Sequence, residues 1–246
     1  MYQIHMKIMI QTIHIRKEYG KKTVLKDINL HISEGMFGLL GKNGAGKTTL
    51  MKIMTTLVQP SNGNCYIDGI SVSEKKKVRK IIGYIPQEFL FFPDFTCYEM
   101  LDYFMLLDNK KDKRKRKAQI LEVLDKVHLS DQKFVKIKNL SGGMKRRVGV
   151  AQALLTDPKV IVADEPTVGL DPQERMHLRK LLKELSKECV VVLSTHIISD
   201  IEDCCDQIGV LQRGNLLFQG TADQLKEQTH TENGTLEEAY LCVTEE

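Results

Sequence analysis

The 246-residue sequence predicts an α/β fold with a parallel core sheet, entered through short N-terminal strands and interrupted by a helical insertion. Three observations carry that expectation. The apolar runs MFGLL, VIVA and VVVL are short and β-branched or leucine-rich, and each lies beside a helical pattern, as strands buried on both faces do. Alternating apolar residues dominate the first 35 positions. From about residue 88 the texture changes to crowded aromatics followed by helical spacing.

In chain order, Ile4, Met6, Ile8 and Ile10 alternate with other residues, Ile13 and Ile15 follow, and Ile28, Leu30 and Ile32 come after a break at Tyr19 and Gly20. Period-two alternation is strand chemistry. MFGLL then runs straight into GKNGAGKTT and the helical LMKIMTTL. Residues 60–85 return to strands and turns, with SNGNCYIDG as a turn signal and IIGYI as another apolar run. Ile120, Leu121, Leu124 and Val127 carry helical spacing in the insertion, which spans about 88–155 once the helix after LSGG is included. VIVADEP, a helix over 172–187 and VVVLSTH complete the core. IGVLQRGNLLFQG reads as a hairpin around Gly214 and Asn215, and residues 220–246 as a tail of one or two polar helices. The whole of 1–246 is one domain, a size that buries a sizeable core.

Thirty-six Lys and Arg against 32 Asp and Glu give a net charge of +4, too mild to demand a nucleic-acid partner. The six cysteines show no C-x-x-C spacing and read as reduced thiols. No run approaches the roughly 20 apolar residues that span a bilayer, so any membrane crossing belongs to another chain.

GKNGAGKTT matches G-x-x-x-x-G-K-[ST] over residues 41–48, between a strand and a helix. Gly41, Gly44 and Gly46 let successive N–H groups turn toward phosphate oxygens, and the helix start adds its positive dipole end. Lys47 is placed to reach the β- and γ-phosphates and Thr48 to put a hydroxyl on Mg²⁺. In VIVADEP, Asp164 leaves a buried strand where it can hold the ion, and Glu165 follows where a carboxylate can act as general base. Gln87 in IPQE and His196 in STH also follow strand ends; alone, each is an ordinary loop or structural residue. LSGG offers a second helix start suited to anions, about a hundred residues from the first.

Taken together, GKNGAGKTT, IPQE, LSGGM, VIVADEPTVGLDP and STH in this order resemble the ATP-binding subunit of an ABC transporter, over essentially the whole chain. The resemblance implies a P-loop NTPase core with a mixed sheet, an N-terminal antiparallel β-subdomain and an inserted α-helical subdomain. It implies ATP and Mg²⁺ as ligands. Tyr19 would stack on adenine, and Asn43, Ala45 and Thr49 would join the glycines, Lys47 and Thr48 around the phosphates. Gln87 would sense the ion and the attacking water, Glu165 would be the catalytic carboxylate, and His196 would contact the γ-phosphate. Ser141, Gly142 and Gly143 would face the ATP of a second subunit, with Asp171 communicating across the interface. Two chains, identical or related, would pack head to tail on the cytoplasmic face of the cell membrane and drive an integral-membrane permease. The wording resembles bacterial exporters of drugs, antibiotics or peptides, with import as the other direction.

Met144 stands where relatives commonly carry Gln and cannot make that residue's polar contacts; Lys42 stands where they often carry Pro. Phe89, Phe91, Phe92, Phe95 and Tyr98 form either the small core of the insertion or a groove for a permease helix. The basic run over 110–117 reads as a solvated helix face. A soluble family member that moves no solute, such as one in iron–sulfur assembly, is the alternative from another class.

Overall fold

The computed structural model describes residues 10–202 and 204–245; the expected alternation through Ile4, Met6 and Ile8 lies outside them. The first half runs β1 (Ile10–Tyr19), β2 (Lys22–Ile32), β3 (Met36–Leu40), α1 (Lys47–Met54), β4 (Asn62–Ile67), β5 (Ile70–Ser71), α2 (Lys75–Val78) and β6 (Ile82–Ile85). Three longer helices follow: α3 (Cys97–Leu107), α4 (Lys113–Lys126) and α5 (Gly142–Leu154). The chain closes with β7 (Val160–Asp164), α6 (Pro172–Leu185), β8 (Val190–Thr195), α7 (Ser199–Glu202), β9 (Gln207–Gln212), β10 (Asn215–Gly220), α8 (Ala222–Gln228) and α9 (Leu236–Glu245).

Two sheets result. β1 lies between β2 and β4 in an antiparallel sheet of order β2-β1-β4-β5. Its alternation puts Ile10 and Ile15 inside while Arg16 and Lys17 face outward or the rim. The core sheet has the order β10-β9-β3-β8-β7-β6. Every residue of β3, β7 and β8 is buried, which explains why their sequences are continuously apolar rather than alternating. The sheet is mixed: β6, β7, β8, β3 and β9 run parallel, and β10 returns antiparallel to β9.

Strand order is what assembles a site. β3 sits beside β8, and β8 beside β7, so the loop after β3 and the ends of β7 and β8 occupy neighbouring positions on one edge. Adjacent strands are about 4.8 Å apart, within side-chain reach. The chain between β6 and β7 forms only helices and loops, packed on the core through Ile120, Leu124, Val148 and Leu154.

Three local readings needed adjustment. The helix expected over 172–187 stops at Leu185, and a single helical turn, α2, occupies part of the expected strand-and-turn region. The β9–β10 turn is centred on Arg213 and Gly214, not on Gly214 and Asn215. Its two central residues have φ of 46° and 80°, as tight hairpins require.

Candidate active site

Gly46 precedes α1 with φ 114°, and a β-carbon there would lie 2.7 Å from Leu25 Cδ2. Only glycine leaves this backbone free to curl while β2 packs behind it. The turn starts α1 at Lys47, whose side chain is buried. Lys47 Nζ donates to the Gly41 carbonyl at 2.6 Å and lies 3.1 Å from Glu165 Oε1. A buried ammonium needs such partners, because desolvation otherwise favours its neutral form.

The carboxylates come from the end of β7. Asp164 Oδ1 accepts from Ser194 Oγ at 2.6 Å and from Thr48 Oγ1 at 3.2 Å. Its buried charge also bears on Tyr84, whose phenol is pushed up to about 12 by burial first and by Asp164 second. Glu165 adopts φ 45°, costly for a non-glycine residue, and its N–H donates to both the carbonyl and the hydroxyl of Ser194. The opposite carboxylate oxygen, Oε2, lies 3.1 Å from His196 Nδ1. Lys47, Glu165 and His196 thus form one continuous polar chain across three strand ends.

Lys47, Thr48 and Glu165 border a cleft of about 540 Å³, with Asp164, Ser194 and His196 standing behind its lining. Asn43, Gly44, Gly46, Lys47, Thr48 and Thr49 form its floor, and Gln87 and Glu165 enter from the strand ends. The remaining wall comes from Lys22, Thr23, Val24 and Arg213. Gly41 and Ala45 stand behind the floor: the Gly41 N–H donates to the Thr195 carbonyl, and the Ala45 carbonyl accepts from the Gly214 N–H. Tyr19 ends β1 half exposed, with the Lys17 ammonium 4.9 Å from its ring centroid, and is not part of the cleft wall.

The second glycine loop is elsewhere. Ser141 caps α5, its Oγ accepting from the Met144 N–H at 3.1 Å, and Gly142 lies 3.9 Å (as a β-carbon) from Leu170. Asp171 caps α6 by accepting from the Glu174 N–H at 2.9 Å. Ser141, Gly142, Gly143 and Asp171 therefore neighbour one another but do not border their own chain's cleft.

The sequence reading passed over Ser194 and Arg146. Ser194 bridges Asp164 and Glu165; a hydroxyl ending a buried strand beside an Asp-Glu pair was its available signal. Arg146, on α5, donates to the carbonyls of Gln87 (2.6 Å), Pro86 (3.3 Å) and Val168 (3.1 Å). That links the helix after LSGG to two segments bordering the cleft, a link visible only in three dimensions.

A divalent ion fits this donor set. Thr48 Oγ1 and the Asp164 carboxylate are hard oxygen ligands already in contact, and Gln87 borders the same cleft. Among the described residues no group of three or more His, Cys, Asp or Glu side chains is placed to hold a metal. The ion would then share its coordination with phosphate oxygens and water, as Mg²⁺ at nucleotide sites does.

Comparison with known proteins agrees with this geometry. The family model described as ABC transporter matches residues 25–168. The linearmycin resistance ATP-binding protein LnrL of Bacillus subtilis (strain 168) is 38% identical over 222 residues, covering 88% of this chain and 70% of LnrL. The methionine import ATP-binding protein MetN of Aliivibrio fischeri (strain ATCC 700601 / ES114) is 35% identical over 229 residues, covering 88% and 66% respectively. The dimeric structure of MJ0796, a bacterial ABC transporter cassette, superimposes with a TM-score of 0.77 at 30% identity, covering 86% of this chain and 98% of that one. A P-loop sequence, a Lys–Glu–His chain whose Lys and Glu are buried and whose His is exposed, and a second glycine loop set apart from the cleft are thus joined by a family match across more than half the sequence: the chain belongs to the ABC transporter ATPase family.

Proposed function

We propose that this chain binds Mg-ATP in the 540 Å³ cleft, hydrolyses it, and works in a head-to-tail dimer that drives a separate membrane permease in the export direction. The observation that carries the reading is the Lys47–Glu165–His196 chain, in which the phosphate-binding cation and the catalytic carboxylate are already neighbours. Lys47 holds the β- and γ-phosphate oxygens, and the α1 N-terminus adds its dipole. Drawn toward phosphate, the ammonium releases Glu165, which takes a proton from the attacking water. His196, tied to Glu165 through Nδ1, keeps Nε2 for the γ-phosphate. Gln87, its backbone held by Arg146, orients the water. Mg²⁺, held by Thr48 and Asp164, would neutralise charge on the phosphates.

Ser141, Gly142 and Gly143, remote from their own cleft, serve the ATP of the second subunit, and Asp171 lies at the same interface. The dimeric arrangement of the MJ0796 cassette supports this. Mixing Ser141→Arg with Lys47→Ala tests it: a heterodimer with one working site regains ATPase activity, and the absence of rescue overturns the trans arrangement.

Export is supported by likeness to a linearmycin resistance protein. Import is the second reading, favoured by the likeness to methionine import ATPases. No helix among the described residues is long and apolar enough to cross a membrane, so the reading assigns the crossing to a permease and this chain to the cytoplasmic membrane face. Phe89, Phe91, Phe95 and Tyr98 pack half-buried on the core while Phe92 stays exposed, which makes the cluster a core edge and supports the reading of its outer side as a docking surface. Recovery of a multi-span permease with the chain from membranes supports transport; recovery without one revives the soluble alternative.

A further inference from the structure

Beyond the residues assigned above, we propose that Arg213, in the β9–β10 turn, is a nucleotide-binding residue that holds the α-phosphate of ATP from the wall facing the P-loop. The proposal rests on the nucleotide reading of the cleft and adds a contact to it.

Four observations lead there. Arg213 borders the same cleft as Lys47, Thr48 and Thr49, although it lies more than 160 positions away in sequence. Its side chain is exposed and makes no hydrogen bond or ion pair with the described residues, so the guanidinium is available. Its backbone has φ 46°. The first central position of such a turn favours Asn, Asp or Gly, and a long side chain there carries a strain of about 1 kcal/mol. A strained residue whose side chain opens onto a functional cleft is one whose identity answers to more than the turn.

The fourth observation is rigidity. The Gly214 N–H donates to the Ala45 carbonyl at 3.0 Å, inside the P-loop, and the Gly214 carbonyl accepts from the Lys26 N–H at 2.9 Å. A β-carbon on Gly214 would lie 2.4 Å from the Val24 carbonyl. The turn is thus clamped between the P-loop and the start of β2, and Arg213 has a set position relative to the phosphate floor. Lys47 lies buried toward Glu165, at the γ end of the expected triphosphate. Arg213 lines the cleft with Lys22, Thr23 and Val24, on the turn that Gly214 sets against Val24, and its fork of donors suits a phosphate oxygen pair.

The test is equilibrium titration of the full chain with ATP and with ADP, for the wild type and for Arg213→Asn, Arg213→Lys and Lys47→Ala. Asn suits the left-handed backbone and removes the charge, so the variant is expected to fold at least as well as the wild type in thermal melts. It should nonetheless bind ATP and ADP each about tenfold more weakly, the loss of one charge-assisted hydrogen bond. Arg213→Lys should recover part of that loss. Wild-type affinity in Arg213→Asn overturns the proposal. Weakening confined to ATP overturns the α-phosphate assignment, since ADP keeps that group. If the wild type binds no nucleotide, or Lys47→Ala binds as tightly as the wild type, the nucleotide reading of the cleft falls as well.

Discussion

Lys47 Nζ lies 3.1 Å from Glu165 Oε1, with both side chains more than nine-tenths buried. One residue starts α1 and the other follows β7, more than a hundred positions on. In a low-dielectric site this pair sets the carboxylate proposed as general base next to the cation proposed to hold phosphate, and opposite charges at this distance attract. A ligand that competes for Lys47 therefore acts directly on Glu165.

Glu165→Gln should bind ATP and lose about 10²–10⁴-fold in kcat, the range of a general base. With hydrolysis blocked, an ATP-bound dimer should accumulate on gel filtration. Unchanged turnover would remove Glu165 from that role.

His196→Ala should lower kcat by about tenfold or more with little change in KM, because the ring acts through Glu165 Oε2 and on charge developed during reaction. Steady-state kinetics separates this from a ground-state contact, which would raise KM instead.

Ser194→Ala should cost about 1–3 kcal/mol of stability, since Asp164 Oδ1 loses its 2.6 Å donor and the Glu165 N–H loses one of two acceptors. At this chain length that corresponds to a fall of roughly 2–12 °C in Tm. Differential scanning calorimetry measures it, and a higher Mg²⁺ requirement in ATPase assays should accompany it.

Met144→Gln should form the ATP-dependent dimer at lower ATP concentration, because in the proposed trans arrangement a polar side chain beside Ser141 adds a donor toward the second subunit's nucleotide. Met144 packs half-buried against the helical core, so the exchange should also lower Tm slightly. An unchanged dimer on analytical ultracentrifugation would mean that Ser141 and its glycines suffice.

Asp206 ties the end of α6 to the start of the P-loop strand. Its carboxylate accepts from Lys183 Nζ at 2.6 Å and from the Met36 N–H at 2.8 Å. Burial pushes its pKa up, but the Lys183 contact and the Met36 N–H outweigh it and hold the group below the usual carboxylate range. A depressed folded-state pKa contributes stability above the unfolded value of about 4, and that contribution is lost as pH falls through the folded one. Asp206→Asn should therefore destabilise at neutral pH and show a shallower loss between neutral and acid pH in urea melts.

Short-range physics made much of this protein legible in its sequence. Continuous apolar runs announced MFGLL, VIVAD and VVVLST as buried strands, and glycines between a strand and a helix announced the P-loop. The order of motifs marked the family. These signals are local: period, turn chemistry and spacing act within a few residues. Which strands become neighbours is decided by long-range packing, and that alone brought Glu165 onto Lys47, Ser194 between the two carboxylates, and Arg146 onto Gln87. The hairpin turn shows the same division. Gly214 signalled a turn, but only the packing of that turn between Ala45 and Val24 carried Arg213 to the cleft, because a residue's reach depends on what its backbone is clamped against.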